Sequence, residues 1–475
     1  MNKIRLFVFM SFFFSINLFA QTEVSNIRDE LKDSLIARFN RNDFKSIHQL
    51  IDTSWHITEQ NIENFFSNTR KNHGKILNAE FLTDSVCSDC PNKTANYYAL
   101  ELQLRTFLLL LDVSASKKIT SLGLSNYTFP ERTETSTIKT SNPFSDSFDL
   151  SVDSVVRAYF RNPYATALSI GIIRNGQEFF YHYGETTKGN NQLPTNETLY
   201  ELGSITKTFT STILANAVLE NRVSLNDDIR KYLPEAYPNL EYNGKAITLQ
   251  DLSNHTSRIP SLPDDYFTHP KFDPLKPWND YTITMFWQSL HRVVIDTLPG
   301  CKSQYSNVAV MLLGHILENV YRLSFDKLIK QYVTEPFGMK HTSAIFNEKN
   351  KKKLASKYSS NGNPVSYWVQ PASTPAGTGM LTNLEDMLNY LNHQIEENNP
   401  AVKLTHQPTF KNSGLGWGVR NSGTKNRVHE HNGGTTGFTT NIMVFPEIKS
   451  GFVILANSDT ELAKLIRRLY SLIVQ

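Results

Sequence analysis

Ser204 and Lys207 are the residues whose types and spacing point most directly to chemistry, in the run Ser204-Ile205-Thr206-Lys207. If this run begins a helix, the two side chains share one face, roughly 5–6 Å apart at Cβ. The helix N-terminus then offers backbone N–H groups and a positive dipole end to a developing oxyanion. A lysine held in a dry site loses its proton near neutrality, from a free pKa of about 10.4, and can activate the serine as a nucleophile.

Serine followed three residues later by lysine is a frequent pattern. It occurs at five places in this chain, starting at Ser114, Ser136, Ser204, Ser324 and Ser422. Only Ser204 precedes a long amphipathic helix, whose core face carries Phe209 and Ile213. On the pattern alone, an ordinary helix N-cap is the favoured interpretation of Ser204.

Two further runs change that interpretation. Tyr305 and Asn307 follow a Pro-Gly turn and begin an apolar helix, about a hundred residues after Ser204. A phenol can relay protons with a lysine, and an amide can orient both the lysine and a substrate carbonyl. The third run is His431-Asn432-Gly433-Gly434, whose glycines would let a substrate backbone approach and pair with an edge strand.

In this order and at these distances, the three runs make residues 150–475 similar to the serine β-lactamase and penicillin-binding-protein superfamily. The similar branch is that of class C β-lactamases, D-alanyl-D-alanine carboxypeptidases and related esterases. Further similar stretches are LQDLSNHTSRIP at 249–260, EPFGMKHT at 335–342, PAGTGMLTNLEDM at 375–387 and LGWGV at 415–419. The resemblance implies an α+β catalytic domain, with an antiparallel sheet flanked by helices and a mostly helical subdomain.

The resemblance also implies roles for the motif residues. Ser204 would be the acylated nucleophile, Lys207 its activating partner, and Tyr305 the general base toward Ser204 and later toward the attacking water. Asn307, His431 and Gly433 would position the substrate. The backbone N–H groups of Ser204 and Gly434 would form the oxyanion hole.

Two positions depart from the family pattern. His431 and Asn432 replace the lysine and the Thr or Ser that class C β-lactamases usually carry, and a mostly neutral histidine holds a substrate carboxylate less strongly. This departure favours a peptidase or esterase over an efficient β-lactamase. Arg258 replaces a usual glycine, so we expect a changed loop there, and His255 is expected to fix that loop.

The predicted function is therefore an exported serine hydrolase that acts through an acyl-enzyme on an amide or ester. A D-amino-acid peptide, a β-lactam and a small ester all remain possible substrates. The competing hypothesis is a non-catalytic sensor or binding protein built on a penicillin-binding fold. The intact Ser204, Lys207, Tyr305 and Asn307 argue against it, because a decayed site would be expected to lose one of them.

No cofactor and no metal site is predicted. The H-E-x-x-H and phosphate-loop motifs are absent from the sequence, and His429 and His431 lack a placed third ligand. Cys87 and Cys90 could form a redox pair, half of a metal knuckle or a local disulfide, and the Pro-Asn turn after them favours the disulfide. Cys301 is left unpaired and is predicted to be buried.

The surrounding elements divide the chain. Helical spacing over 23–72, followed by a strand that begins in YYALELQLRTFLLLL and becomes fully apolar at 107–111, predicts a small α+β accessory domain over 21–130. Its architecture weakly resembles nuclear-transport-factor-2-like folds. A Ser/Thr-rich linker over 131–148 and the hydrolase domain over 149–475 follow. Within the latter we predict a helix over 152–160, a hairpin about Asn175-Gly176, a second hairpin from 437–445 and 451–456, and a closing helix over 462–474.

The first twenty residues contain two cations, an apolar stretch and Ala20, which predicts a secretory signal peptide over 1–20 and a periplasmic or secreted location. An uncleaved single-helix anchor is the alternative, although the apolar run is short for a span. With 48 Lys+Arg against 45 Asp+Glu, the net charge of +3 favours neither nucleic acid nor an anionic membrane as a partner. The expected partner is a small-molecule or peptide substrate such as a cell-wall peptide, with no stable membrane span after signal cleavage.

Overall fold

The computed structural model describes residues 25–86, 94–344, 348–367 and 375–474. It divides into two compact units between Phe129 and Pro130, and residues 273–275 group with the first unit. The predicted signal peptide, Cys87 and Cys90 lie outside the described residues. The two units are described separately below.

The first unit begins with helices, as the apolar spacing predicts. They are α1 (25–40), α2 (Phe44–His48), a 3₁₀ turn (Thr53–Trp55) and α3 (Glu59–His73). On α1, Leu31 and Leu35 are buried one turn apart, so its apolar stripe faces the core of this unit. Thr58 caps α3 by accepting a hydrogen bond from the Asn61 N–H at 3.2 Å.

An antiparallel sheet follows these helices in the order β1–β2–β3–β4. Its strands are β1 (Ile76–Val86), β2 (Thr94–Leu102), β3 (Thr106–Val113) and β4 (Ile119–Asn126). The prediction of one strand running through YYALELQLRTFLLLL is wrong, because the chain reverses between Leu102 and Thr106. The Leu102 N–H donates to the Arg105 carbonyl at 2.8 Å, which closes a tight turn that no Gly or Pro announces. The resemblance to nuclear-transport-factor-2-like folds stays a prediction.

The second unit is built on an antiparallel sheet in the order β13–β14–β15–β16–β5–β6, so both ends of this unit contribute adjacent strands. The strands are β5 (Ala167–Arg174), β6 (Gln177–Gly184), β13 (Gly418–Arg420), β14 (Val428–Thr435), β15 (Phe438–Phe445) and β16 (Ser450–Ala456). Shorter strands are β7 (Tyr200–Glu201), β8 (Glu241–Tyr242), β9 (Lys245–Ala246), β10 (Lys357–Tyr358), β11 (Pro364–Val365) and β12 (Leu381–Thr382).

Both predicted hairpins are confirmed. Asn175 and Gly176 join β5 to β6 with φ angles of 52° and 79°, the left-handed pair that a two-residue hairpin turn requires. Strands β15 and β16 form the second hairpin. Strand β16 is buried on both faces, since Phe452 and Ile454 enter one core cluster and Val453 enters another.

Helices cover the two faces of this sheet. They are α4 (Ser147–Tyr159), α5 (Thr206–Leu219), α6 (Leu249–Ser253), α7 (Ile283–Leu290), α8 (Asn307–Tyr321), α9 (Phe325–Ile329), α10 (Glu348–Lys351), α11 (Pro375–Thr378), α12 (Leu384–Glu396), α13 (Pro400–His406) and α14 (Ala463–Val474). A π-helical turn (Lys330–Thr334) and 3₁₀ turns (Gly203–Ile205, Ile229–Tyr232, Pro446–Ile448) complete the unit. This arrangement confirms the predicted fold class. Among the described residues no single helix is long and apolar enough to span a membrane; Asn307–Tyr321 and Phe325–Thr334 reach that composition only together, bent by 83°.

Helix α4 begins at Ser147, five residues before the predicted start. Asp146 caps it by accepting a hydrogen bond from the Asp149 N–H at 2.9 Å, so the last two residues of the predicted linker belong to the helix. The segment before it lies along β6, where the Ser141 N–H donates to the His182 carbonyl at 2.9 Å. The predicted closing helix is confirmed as α14.

Candidate active site

Ser204 lies in the tight 3₁₀ turn that joins β7 to α5. Gly203, just before it, has φ +61°, and a Cβ built there would lie 2.6 Å from the Gly434 amide nitrogen. Any side chain at position 203 would therefore strain the turn and push β14 away from it. The turn and β14 approach each other this closely only because residue 203 is glycine.

Two side chains donate hydrogen bonds to the hydroxyl of Ser204. Lys207 Nζ lies 3.0 Å from Ser204 Oγ, and the Tyr305 hydroxyl lies 2.8 Å from the same oxygen. Lys207 Nζ also lies 5.1 Å from the centre of the Tyr305 ring. The structure thus brings the three predicted catalytic residues into direct contact, which spacing alone establishes only for Ser204 and Lys207.

Lys207 is fully buried, and no carboxylate in the described segments forms an ion pair with its ammonium. Burial lowers the pKa of its ammonium from 10.5 to about 7. Its second partner is the carbonyl of Gly377, which accepts a hydrogen bond from Nζ at 2.7 Å. Sequence analysis missed the role of Gly377, although it lies within the stretch 375–387 that carries part of the resemblance.

Tyr305 is held from behind by the loop that contains His255. The two rings lie 4.5 Å apart, His255 Nδ1 accepts a hydrogen bond from the Ser306 N–H at 3.3 Å, and the His255 carbonyl accepts one from the Gln304 N–H at 2.7 Å. Burial raises the pKa of the Tyr305 phenol and lowers that of His255 to about 3. These contacts agree with the prediction that His255 fixes this loop.

Asn307 is the first residue of α8, whose N-cap is Ser306. The Ser306 hydroxyl accepts a hydrogen bond from the Ala309 N–H at 3.0 Å, which fixes the helix start beside Tyr305. Among the described residues, none offers a hydrogen bond to the buried Oδ1 of Asn307. That oxygen keeps its capacity to accept a hydrogen bond, and a substrate donor would reach it after a rotation of the Asn307 side chain toward the cleft.

Strand β14 carries the remaining predicted residues past the Ser204 turn. Gly433 is buried, and a Cβ on it would lie 2.2 Å from the Leu202 carbonyl oxygen and 2.1 Å from Thr440 Oγ1. Strand β13 pairs with β14 only up to Glu430, so the edge from His431 onward has no strand partner within the described part of the chain. This free edge is where an extended substrate could add hydrogen bonds.

His431 begins that free edge and is half-buried. Burial and the nearby Lys207 lower the pKa of its imidazole to about 4, so it is neutral at pH 7. Its Nδ1 lies 2.7 Å from the Asn432 carbonyl oxygen. An open cleft of about 470 Å³ is lined by Tyr305, Glu430, His431, Asn432, Gly433 and Gly434.

Two further predictions concern Arg258 and Cys301. Arg258 has φ +64°, the left-handed conformation that favours glycine, and its guanidinium pairs with Asp296 at 2.6 Å. The loop therefore keeps a glycine-like backbone while gaining an ion pair. Cys301 was predicted to be buried, and this is wrong: it is exposed, because it follows Gly300 in a surface turn.

Comparison with known proteins shows which family and which relatives this chain resembles. The Beta-lactamase family model matches residues 152–474. Protein flp of Staphylococcus aureus is 30% identical over 345 residues, 68% of this chain and 66% of that protein, so the chain spans just under two thirds of its length. The D-alanyl-D-alanine-carboxypeptidase/endopeptidase AmpH of Escherichia coli is 33% identical over 192 residues, 40% of this chain and 49% of that protein.

Solved structures show the same likeness. A β-lactamase/D-alanine carboxypeptidase from Yersinia pestis, in complex with citrate, superposes with a TM-score of 0.59 at 25% identity, covering 69% of this chain and 99% of that one. A β-lactamase/D-alanine carboxypeptidase from Pseudomonas syringae superposes with a TM-score of 0.60 at 21% identity, covering 70% and 99%, and shows the fold alone.

Proposed function

The chain belongs to the Beta-lactamase family, and on that premise we propose that it is an exported serine hydrolase that acts through an acyl-enzyme. The observation that carries the proposal is the double contact on Ser204 Oγ, from Lys207 Nζ at 3.0 Å and from the Tyr305 hydroxyl at 2.8 Å. A hydroxyl so placed can lose its proton to a base in contact with it as it attacks a carbonyl.

The pKa shifts give Lys207 and Tyr305 different roles in the proton transfer. A lysine with a pKa of about 7 is about half neutral at pH 7, whereas burial raises the pKa of Tyr305 and keeps it a phenol. We therefore assign the general-base role to Lys207 in place of Tyr305, to which the family resemblance gave it; the proton reaches Lys207 directly or through the Tyr305 hydroxyl. Ser204 Oγ bonds to the carbonyl carbon, the C–N or C–O bond breaks, and the same proton returns to the leaving group.

In deacylation water is the nucleophile and the Ser204 oxygen is the leaving group. Water attacks the acyl carbon, its proton passes to the Tyr305 and Lys207 pair, and Ser204 is released with its proton restored. The close approach of Gly203 to Gly434 supports an oxyanion hole made by the N–H groups of Ser204 and Gly434. Two backbone donors fixed by packing need no rearrangement as charge develops on the carbonyl oxygen.

The cleft favours a substrate that binds through its backbone. The free edge of β14 and the unpartnered Oδ1 of Asn307 suit an extended peptide or acylamide, and neutral His431 offers no fixed cation to a carboxylate. We therefore favour a substrate without a carboxylate beside the reacting bond, such as an internal peptide bond of a cell-wall peptide or a small ester. A β-lactam or a D-alanyl-D-alanine terminus that depends on its carboxylate is less favoured, and this choice accords with the endopeptidase activity in the name of the Escherichia coli relative.

Steady-state hydrolysis with matched serine variants tests the proposal. A nitrophenyl ester, a D-alanyl-D-alanine peptide and a chromogenic β-lactam are offered to the full chain, to Ser204→Ala and to Ser324→Ala. Ser324 also precedes a lysine by three residues, and its side chain makes no cap hydrogen bond in α9. We expect at least about a thousandfold loss in Ser204→Ala and none in Ser324→Ala.

Each other outcome is informative. Equal activity of Ser204→Ala and the natural chain would refute the serine mechanism. A stable penicillin adduct on Ser204 with no turnover of any substrate would favour the hypothesis of a non-catalytic sensor over that of an enzyme. Hydrolysis of the ester but not of the peptide would narrow the substrate class to esters.

A further inference from the structure

Glu397, His406 and His429 form a compact group in the second unit, outside the serine site. Their candidate ligand atoms all lie within 4.8 Å of one another. Glu397 is the C-cap of α12, His406 ends α13, and His429 lies near the start of β14. The three residues come from separate elements, so helical or strand spacing does not reveal the group.

The two imidazoles are buried and lack hydrogen-bond partners for most of their nitrogens. His429 is 0% exposed and His406 is 1% exposed. Within the described part of the chain, neither nitrogen of His429 and only Nδ1 of His406 has a hydrogen bond, the latter to Glu397 Oε1 at 2.6 Å. Buried polar atoms in proteins are normally satisfied, so three unpartnered nitrogens in one group indicate a ligand.

The charges around the group favour a cation. Glu397 and Glu447 are both paired with Arg427, at 2.7 Å each. Two carboxylates against one guanidinium leave the group with one negative charge when both imidazoles are neutral. Each neutral imidazole has one nitrogen lone pair that a Lewis acid can accept.

We propose that Glu397, His406 and His429 form a binding site for a transition-metal ion of the Zn²⁺ type. Two imidazole nitrogens and one carboxylate oxygen are a donor set that Zn²⁺ accepts, at about 2.0–2.2 Å from each atom. Tetrahedral ligands at that distance are roughly 3.3 Å from one another. The present separations from Glu397 Oε1 are 2.6 Å to His406 and 3.8 Å to His429, each within a small side-chain movement of that value.

Metal binding requires two local changes. The imidazole planes of His406 and His429, now 12° apart with ring centres 3.7 Å apart, must tilt so that both lone pairs meet at one point. If His406 coordinates through Nδ1, its proton moves to Nε2, so no proton is lost. The fourth position is left to water on the partly exposed side of Glu397.

The site would hold together the ends of α12 and α13 and the strand β14, two residues before His431. We expect the bound ion to stabilise the strand edge that binds substrate. It would take no part in the reaction, because none of its three ligands is a catalytic residue. The inference is thus independent of the proposed hydrolase function. The ion would serve as a structural clamp.

Zinc binding by the full chain, purified with a tag other than polyhistidine and stripped with a chelator, tests the proposal. We expect one Zn²⁺ per chain by elemental mass spectrometry. His429→Gln and His406→Gln should each bind at least about a hundredfold more weakly, since each loses a direct ligand. His269→Gln is the matched control, because His269 is also buried with an unpartnered Nε2, and it should bind as the natural chain does.

A second measurement does not depend on the folding of the variants. The thermal midpoint of the natural chain should rise when Zn²⁺ is added and should not respond to Mg²⁺. No bound zinc and no thermal response would overturn the proposal. So would zinc binding that survives in His429→Gln, or that is lost in His431→Gln, because the ion would then occupy another site.

Discussion

The pKa of Lys207 gives the account its most quantitative prediction, in the dependence of hydrolysis on pH. If neutral Lys207 accepts the proton of Ser204, the active fraction of the enzyme rises as pH rises through about 7. About nine-tenths of the lysine is then neutral at pH 8 and about one-tenth at pH 6. kcat/KM should therefore fall about tenfold from pH 8 to pH 6, and by about a further tenfold at pH 5.

The assay is kcat/KM for an uncharged nitrophenyl ester from pH 5 to pH 8, at constant ionic strength. Burial lowers the pKa of His431 to about 4 and that of His255 to about 3, so neither imidazole titrates in this window. His431→Gln is the control and should leave the limb where it is. A change of less than about twofold between pH 6 and pH 8 would refute the assignment, as would a limb that moves in the control variant.

Three substitutions test the neighbouring parts of the site. Gly203→Ala should lower kcat about a hundredfold or more, because its Cβ would meet the Gly434 amide at 2.6 Å and displace an oxyanion donor; steady-state rates within twofold of normal would contradict this. Glu201→Gln breaks a buried ion pair, because it removes the carboxylate that lies 2.9 Å from the fully buried Lys357 ammonium. Urea unfolding should then show a loss of about 3–5 kcal/mol in the free energy of unfolding, and a loss below about 1 kcal/mol would count against it. His431→Lys should lower KM about tenfold for substrates with a carboxylate beside the reacting bond and leave KM for a neutral ester unchanged; an equal change in both would refute the proposed role of the neutral imidazole.

The sequence predicted those elements whose formation depends on residues close together in the chain. The Asn175-Gly176 pair fixed the first hairpin, because its two left-handed residues suit the twist of the flanking strands. The apolar spacing after Ser204 predicted the helix α5 correctly, but its description as amphipathic is wrong, because every residue from Thr206 to Ala215 is buried. The reversal between Leu102 and Thr106 was missed because its turn contains no glycine or proline, and its apolar pattern continues across the break.

The assembly of the site lay beyond local reasoning. Tyr305 meets Ser204 across 101 residues, and only the family resemblance paired them before the structure was known. The Gly377 carbonyl was missed because a backbone acceptor has no signature in residue type. His429 was assessed with its sequence neighbour His431, whereas its spatial partners Glu397 and His406 lie 32 and 23 positions earlier in the chain.

The most direct test of the central claim is the site of covalent modification by a fluorophosphonate. The full chain is treated with the reagent, digested and mapped by mass spectrometry, with Ser204→Ala and Ser324→Ala alongside. We predict one adduct, on Ser204, that is absent from Ser204→Ala and unchanged in Ser324→Ala. No adduct on the natural chain, or an adduct that persists in Ser204→Ala, would contradict the assignment of Ser204 as the nucleophile.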